Sequence, residues 1–378
     1  MIYLDNNATT PIAPQVFDAM RPFLDTSFGN PSSAHAKGRE ARKAVERAHE
    51  QVAELIGAAD ASEVAFTSCG TESDNWAVLG ALEVTAKRHI VTTRVEHEAI
   101  RKVCEKLERS GYEVTWLDVD GDGSLDLDAL RSALKPETAV VSVMLANNET
   151  GILFPVDEIG EIVRAHSDAL FHVDGVNAVG KVPVDLKTTE IDLFSISGHK
   201  FHAPKGVGAL YVRKDVDLPP HQIGGGQERG RRAGTEAVHQ LAAIGAAAEL
   251  VNDLQPMKRV GELRDRLENE ILKKIPNSRL NGTPRTDLRL PNTSSISFEN
   301  TNGEMILSRL DDEGICVSTG SACNAIDHRA SAVLEAMDIP YSWAMGSIRF
   351  SLGRFNTEDE VDLLLRVLPS IIGDLKKN

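Results

Sequence analysis

The stretch "LFSISGHKFHAPKGVGALYV", residues 193–212, contains two short apolar runs on either side of a polar segment that includes Lys200. Apolar runs of this length, bounded by Gly and Pro, are typical of buried β-strands. Five earlier runs have the same character, namely "EVAFTS", "HIVTT", "EVTWLDV", "AVVSVML" and "LFHVD". Helical segments, among them residues 100–109 and 156–165, separate several of these runs. Strands that alternate with helices predict an α/β fold in which helices cover both faces of a mainly parallel, seven-stranded sheet.

A change in composition predicts a second unit after the Ala-rich helix "AVHQLAAIGAAAELV". A charged helix over residues 259–274 follows, and then a loop, "PNSRLNGTPRTDLRLPNT". Beyond this loop, "SSISF", "CVST" and "SIRFSL" are predicted strands, while "GEMILSRLDDEG" and "TEDEVDLLLRVLPSII" are predicted helices. We therefore expect a large cofactor-binding domain over residues 15–255 and a smaller α+β domain built from residues 1–14 and 256–378.

The composition excludes several classes of protein. No apolar run approaches the ~18 residues that a membrane span needs. Lys and Arg number 41 against 56 Asp and Glu, which gives a net charge of −15 and argues against binding of nucleic acid. The four cysteines lack the spacing of a zinc site or a disulfide framework, and they are Cys69, Cys104, Cys316 and Cys323. Without a signal peptide at the N-terminus, we expect a cytoplasmic protein with small-molecule and protein partners.

Two charged residues stand at the ends of predicted strands. Lys200 follows "LFSIS", and Asp174 ends "LFHVD". Ligands of open α/β sheets bind outside the carboxyl ends of the strands. A lysine there forms a Schiff base with an aldehyde cofactor when burial lowers its pKa, and an aspartate holds a protonated pyridine nitrogen. The pair predicts a pyridoxal phosphate enzyme over a nicotinamide dehydrogenase, because no GxGxxG motif opens a helix early in the chain.

Further polar residues at strand ends extend this predicted site. "TSCGTESDNW" places the backbone N–H groups of Gly70 and Thr71 at a helix N-terminus, which favours a phosphate, although a simple helix cap has the same pattern. Ser197 and His199 flank Lys200 and would add donors to the phosphate. His97 in "VEHEAI" follows another strand, where an imidazole stacks on a cofactor ring and transfers protons.

Ten ordered blocks resemble the NifS/IscS-type cysteine desulfurases nearly end to end. They are "YLDNNATTP", "FGNPSSAH", "FTSCGTESDN", "VEHEA", "ANNETG", "HVDG", "SGHKFHAPKGVGALY", "GGGQERGRRAGTE", "STGSAC" and "SIRFSLGR". Three of them, "TSCGTESD", "NNETG" and "RRAGTE", are most similar to the nitrogen-fixation NifS branch. The resemblance implies a homodimer of fold type I that converts L-cysteine to L-alanine and leaves a persulfide on the enzyme. It also implies a protein sulfur acceptor, such as a scaffold for iron–sulfur clusters.

The resemblance assigns roles by matching motif. It implies that Lys200 forms the Schiff base, that Asp174 binds the pyridine nitrogen, and that His97 stacks on the ring. Cys323 in "STGSAC" would accept the sulfur, on a loop whose Ser, Gly and Ala residues permit movement. The other implied contacts are to the phosphate (Thr71, Ser197, His199 and, from the other subunit, Thr235), to the ring hydroxyl and substrate (Asn148), and to the substrate carboxylate (Arg349).

The chain departs from the family pattern at two places. Asn177 stands where the family usually has Gln, so a cofactor contact there would be one methylene shorter. After Cys323 the chain reads "NAIDHRAS", which brings three charged or titratable residues beside the thiol, Asp327, His328 and Arg329. We expect His328 or Arg329 to lower the thiol pKa modestly.

Other readings of the same residues remain open at this stage. An aminotransferase would need Lys200, Asp174 and an arginine but no thiol, and a selenocysteine lyase would need nearly the same site. A non-catalytic protein of iron–sulfur cluster assembly would need no yellow cofactor. The presence of Lys200, Asp174 and His97 together argues against this last reading.

Overall fold

A computed structural model of the chain describes residues 1–319 and 330–376. The strands in these ranges are β1 (Ile2–Tyr3), β2 (Val64–Thr67), β3 (His89–Thr93), β4 (Glu113–Leu117), β5 (Thr138–Met144), β6 (Leu170–Asp174), β7 (Leu193–Ser197), β8 (Gly208–Val212), β9 (Ser278–Leu280), β10 (Thr293–Phe298), β11 (Ile315–Cys316) and β12 (Ser347–Ser351). The α-helices are α1 (Pro14–Met20), α2 (Ala36–Leu55), α3 (Gly70–Thr85), α4 (Glu98–Arg109), α5 (Leu127–Ala133), α6 (Val156–His166), α7 (Val238–Asn252), α8 (Gln255–Lys274), α9 (Gly303–Asp312), α10 (Ala332–Ala336), α11 (Tyr341–Ala344) and α12 (Glu358–Leu375). In the described ranges, none of these helices combines the length and the apolar character that a membrane crossing requires.

The large unit is built on a seven-stranded sheet in the order β2-β8-β7-β6-β5-β3-β4. Only β8 runs antiparallel to its neighbours within this sheet, and the pairs from β7 to β4 are parallel. Every residue of β3, β5, β7 and β8 is buried, as expected for a sheet covered on both faces. The α/β fold with a mainly parallel seven-stranded sheet is therefore confirmed.

Adjacent residues of the central strands pack on opposite sides of the sheet. Ile90 pairs with Val140, and both join the apolar cluster formed with α3 and α4. Val91 pairs with Val141, and both join the larger cluster on the other face, which includes α2, α6 and α7. The side chains of each apolar run thus pack alternately into two apolar clusters, one on each face of the sheet.

Helices α2 and α7 cross closely on one face of the sheet. At Gly245 in α7, a Cβ would lie 3.0 Å from Ala48 Cα and 2.2 Å from Gln51 Oε1. The small residues of "AIGAAAELV" therefore permit a contact between helices that larger side chains would prevent.

The smaller unit is an antiparallel sheet in the order β12-β10-β9, and β1 and β11 form a separate parallel pair. Its apolar cluster joins Ile2 and Leu4 to residues of α8, α9 and α12. Residues 330–344 lie outside this cluster, since Val333, Leu334 and Met337 pack into the large core. The division of the chain near residue 255 stays a prediction, with α8 beginning at Gln255.

Two elements of the smaller unit differ from the sequence prediction. Residues 278–280, predicted as part of a loop, form β9 because they pair with β10. Three half-buried residues carry too little apolar pattern for recognition in the sequence. The predicted strand "CVST" is shorter than expected, since β11 comprises only Ile315 and Cys316, and Ser318 instead forms an isolated bridge with Arg349.

Candidate active site

A cavity of about 290 Å³ lies where the carboxyl ends of β5, β6 and β7 meet the N-terminus of α3. This position agrees with the general location of ligand sites in open α/β sheets. Nine residues predicted from the sequence line it together, namely Gly70, Thr71, His97, Asn148, Asp174, Asn177, Ser197, His199 and Lys200. Six residues that the sequence analysis did not single out complete the wall, namely Ala8, Cys69, Asp74, Met144, Ala146 and Val176.

Lys200 ends a short 3-10 turn, Gly198–Lys200, that directly follows β7. Its Nζ donates to the backbone oxygens of Asn7 and, at 3.2 Å, of Ala8. Burial and the positive charge of Arg349 lower the pKa of the Lys200 ammonium to about 8, although the carboxylate of Asp174 opposes the shift. Roughly a tenth of Lys200 is thus the neutral, nucleophilic amine at pH 7.

Asp174 is the last residue of β6 and is 5% exposed. Its Oδ1 accepts a hydrogen bond from the Val176 backbone N–H at 2.9 Å. Burial raises the pKa of Asp174, while the charges of His97 and Lys200 and this hydrogen bond counteract the rise. Only glycine fits in the turn at position 175, because a Cβ there would lie 1.9 Å from the Phe194 ring. The turn thereby aims the carboxyl group into the cavity.

Two more buried acids lie near Asp174. Asp74 lines the cavity, and its Oδ1 lies 3.6 Å from His172 Nε2, beyond hydrogen-bond distance. Glu96 Oε1 accepts from Thr93 Oγ1 at 2.7 Å and from the Met144 backbone N–H at 3.0 Å. Burial raises the pKa of Glu96 to about 8 and that of Asp74 well above its usual range, with Asp174 adding to both shifts. The helical position of Asp74, one turn after Thr71 in α3, was a signal that could have identified it.

The two buried carboxyl groups of this wall, Asp74 and Asp174, both with raised pKa values, provide a test of the predicted cofactor. Burying an unpaired carboxyl oxygen is unfavourable unless a ligand supplies a donor or a positive charge. A protonated pyridine nitrogen supplies both. The residues of this wall therefore fit pyridoxal phosphate.

The opposite end of the cavity presents donors suited to a phosphate. Helix α3 begins at Gly70, so the backbone N–H groups of its first turn face the cavity together with Thr71. A Cβ on Gly70 would lie 2.7 Å from Val176 Cγ2, so glycine allows the strand end and the helix to approach. Burial and nearby lysines lower the pKa of His199 to about 4, and its Nδ1 lies 3.2 Å from Thr9 Oγ1.

His97 is the N-cap residue of α4. Its Nδ1 accepts from the Ala99 backbone N–H at 3.2 Å, which places the proton of the neutral ring on Nε2. Burial lowers the pKa of His97, although the negative charge of Asp174 opposes this effect. A neutral imidazole with a defined tautomer is suited to proton transfer at the cavity.

Arg349 lies in β12 behind the cavity wall. Its Nη1 donates to the Asn148 backbone oxygen at 2.8 Å and its Nη2 to Asp5 Oδ1 at 2.7 Å. Arg349 Nε is buried without a hydrogen-bond partner in the described part of the chain. A guanidinium with a spare donor next to a cavity-lining residue is suited to binding a carboxylate.

The turn "NNETG", residues 147–151, joins the cavity to the smaller unit. Asn147 Oδ1 accepts from the backbone N–H groups of Glu149 and Thr150, each at 2.9 Å. Glu149 in turn accepts a hydrogen bond from Ser331, the N-cap residue of α10. The Asn148 backbone oxygen, which accepts a hydrogen bond from Arg349, lies between these two contacts in the chain. The turn therefore connects the cavity wall, β12 and α10.

The other predicted site residues either lie away from this cavity or fall outside the described residues. Thr235 lines a different cavity, together with Glu228 and Arg232, and its predicted contact with the cofactor of another subunit stays a prediction. Cys323, with the charged residues Asp327, His328 and Arg329, lies outside the described residues. Within residues 1–319 and 330–376, no cluster of His, Cys, Asp and Glu could hold a metal ion.

Comparisons with known proteins agree over nearly the whole chain. Residues 2–364 match the family model "Aminotransferase class-V". A cysteine desulfurase of Trichormus azollae is 52% identical over all of this chain and 94% of its own length. The cysteine desulfurase NifS of Azotobacter vinelandii is 48% identical over 99% of this chain and 93% of its own length.

Solved structures give the same result for the fold. A structure described as a NifS-like protein superposes with a TM-score of 0.92 and 38% identity, covering 99% of this chain and all of the other. A second structure, of SspA in complex with cysteine, has a TM-score of 0.83 and 32% identity, covering 94% of this chain and all of the other.

Proposed function

The chain belongs to the aminotransferase class-V family and is a cysteine desulfurase, and we propose that it works with pyridoxal phosphate held at Lys200 and with Cys323 as the sulfur acceptor. The products would be L-alanine and a persulfide on Cys323. One observation carries this proposal: a buried lysine with a lowered pKa and a buried aspartate line one cavity together with the N-terminus of α3.

The residues that would hold the cofactor follow from the geometry of the cavity. Lys200 would bond to its aldehyde carbon, and Asp174 would face its ring nitrogen. The phosphate would be bound by the residues at the start of α3 and the end of β7, namely Gly70, Thr71, Ser197 and His199. When bound, pyridoxal phosphate draws electrons away from the Cα of the amino acid, which weakens the Cα–H bond.

Two residues would move protons during the reaction. Lys200 has its pKa lowered to about 8, so its free amine is a competent base for the Cα proton of cysteine. His97 carries its proton on Nε2 in the neutral ring, since its Nδ1 is occupied by the Ala99 N–H. It would return a proton to the product or hold one at the leaving sulfur.

The substrate would be oriented through its carboxylate. Arg349 lies in a rigid strand with two of its nitrogens already fixed by Asp5 and Asn148. Its free Nε–H and the remaining Nη–H bonds would bind the carboxylate of L-cysteine, with Asn148 beside it. This contact would place the thiol side of the substrate toward the open part of the cavity.

The transfer of sulfur would involve Cys323 and partner proteins. Cys323 as thiolate would attack the substrate sulfur, forming an S–S bond as the C–S bond breaks. The persulfide would pass to a protein acceptor, such as a scaffold for iron–sulfur clusters, in the cytoplasm. We also propose a homodimer in which Thr235 of one subunit contacts the cofactor phosphate of the other.

The proposed reaction is tested by measuring alanine and sulfide from L-cysteine in the presence of a thiol reductant. We expect equal yields of both products, loss of both in Lys200→Ala, and a Cys323→Ala variant that binds the cofactor but does not release sulfide. Full sulfide production by Cys323→Ala would overturn the proposed role of this thiol. A protein that transfers the amino group of cysteine without releasing alanine would instead be an aminotransferase.

A further inference from the structure

Lys181 is a buried charged residue that the proposed mechanism does not use. It is 8% exposed and lies four residues after Asn177, in the turn that follows β6. Its Nζ donates to two atoms of Asn177, the backbone oxygen at 2.8 Å and the side-chain Oδ1 at 3.3 Å. Burial, together with the charges of Lys200 and Arg349, lowers the pKa of Lys181 to about 7. Burying an ammonium is unfavourable unless it is hydrogen-bonded or paired with an opposite charge.

The contacts of Lys181 decide which end of the Asn177 amide faces the cavity. Lys181 Nζ donates to the oxygen of the amide, and in its protonated form it can only donate, so it does not bind the amide nitrogen. Asn177 Nδ2 consequently lies on the other side, 3.5 Å from the Asn147 backbone oxygen, a distance too long for a strong hydrogen bond. Asn177 lines the cavity, and Nδ2 is the end of its amide that Lys181 does not bind, so one N–H of this group remains available to a ligand there.

We propose that Lys181 is a positioning residue that fixes the Asn177 amide with its NH2 group toward the cofactor, where it donates to an anionic oxygen of the bound ring. This inference rests on the proposed function, because it assumes that the cavity binds pyridoxal phosphate. The ammonium also withdraws electron density through the amide oxygen, which strengthens the N–H donor. Asn177 is shorter than the Gln usual in the family, so its orientation depends strongly on what holds its oxygen.

The proposal predicts an indirect effect of Lys181 on cofactor affinity. Without the ammonium, the amide could rotate and present its oxygen to an anionic ring oxygen, which would be repulsive. The loss of one hydrogen bond to a charged group corresponds to roughly a tenfold or greater weakening of binding. Because Lys181 acts through Asn177, it should have no effect once Asn177 lacks its amide.

The test is a double-mutant cycle measured as the dissociation constant of pyridoxal phosphate from the full-length protein. Lys181→Met and Asn177→Ala should each weaken binding about tenfold, and the double variant should bind no more weakly than Asn177→Ala alone. The absorption spectrum of the loaded protein should shift alike in both single variants. Equal weakening by Lys181→Met in both backgrounds, or no weakening at all, would overturn the proposal.

A second variant tests the orientation with Lys181 left in place. Asn177→Asp replaces the NH2 group by an oxygen of nearly the same size, so it should weaken binding more than Asn177→Ala does. Wild-type affinity in Asn177→Asp would show that no donor faces the cofactor and would also overturn the proposal. If the wild-type protein itself bound no pyridoxal phosphate, the proposed function would fail; if it bound the cofactor and the variants did not differ from it, only this inference would fail.

Discussion

Buried charges occur in two regions of this molecule, and they are arranged in opposite ways. In the smaller unit, both oxygens of Glu268 pair with both terminal nitrogens of Arg289 at 2.9 Å, and Ser294 Oγ donates to Glu268 at 2.7 Å. Around the cavity, Lys200 and Asp174 are buried without such mutual pairing, and their pKa values shift toward the neutral forms.

This difference separates a structural role from a functional one. A charge whose partner is supplied by the fold stabilises the fold, and removing that partner is costly. A charge whose partner is missing from the fold is available to a ligand and raises the free energy of the ligand-free state. Substitutions in the two regions should therefore have different effects, on turnover around the cavity and on stability in the smaller unit.

Replacing Lys200 by Ala should abolish turnover, with a decrease of more than about 10⁴-fold, because the change removes both the bond to the cofactor and the base. The measurement is alanine production from L-cysteine, alongside the circular dichroism spectrum as a check of folding. The matched control is Lys205→Ala, which changes an exposed lysine five residues away and should leave turnover unchanged. Substantial activity in Lys200→Ala would contradict the assignment of Lys200.

Replacing Glu268 by Ala should lower the free energy of unfolding by about 3–5 kcal/mol, because it leaves the Arg289 guanidinium buried without its partner. Denaturant unfolding of the purified protein measures this change. The turnover of the folded fraction should stay near that of the wild type, since neither Glu268 nor Arg289 lines the cavity. Glu262→Ala, which changes an exposed residue of the same helix, is the control and should cost less than about 0.5 kcal/mol.

The unpaired Lys200 should make the stability of the cofactor-free protein depend on pH. The pKa of this residue falls from 10.5 to about 8 on folding, so between these values the unfolded chain binds a proton that the folded chain has lost. Stability relative to a Lys200→Met variant should therefore rise as the pH increases from about 8 to 10.5, by up to about 3 kcal/mol. Unfolding free energies measured across this range test the sign. A difference that does not vary with pH would mean that Lys200 is solvated in the folded state.

Replacing Arg349 by Lys should raise the KM for L-cysteine by about 10- to 100-fold, because an ammonium cannot reproduce the forked contact with a carboxylate. The absorption spectrum of the bound cofactor should change little, since Arg349 is assigned a contact with the substrate and none with the cofactor. Arg309→Lys, at an exposed position of α9, serves as the control. An unchanged KM in Arg349→Lys would remove this residue from the substrate site.

The sequence predicted those parts of the fold and site that depend on local pattern. The seven strands were recognisable because each is a short, mostly apolar run, and Asp174 and Lys200 were recognisable because each stands at or just after the end of such a run. The role of Arg349 was predicted only from the resemblance to a family, because nothing within "SIRFS" itself indicates that role.

What the sequence did not predict depends on contacts between distant segments. Asp5 and Arg349 are 344 residues apart and meet only in the folded chain. Lys181 is one lysine among many until burial and its two bonds to Asn177 distinguish it. Strand β9 likewise exists because β10 pairs with it, and its three residues carry no strand pattern.

The turn at residues 147–151 has a consequence for recombination between related chains. It belongs to the large sheet by position, but it receives hydrogen bonds from Ser331 and Arg349, and a Cβ on Gly151 would lie 2.8 Å from Thr293 Cβ. A chimera joined near residue 255 would combine this turn from one parent with its three contacts from another. A folded chimera would therefore need residues 147–151 from the same parent as the smaller unit. The segments that must be exchanged together are thus separated in the gene.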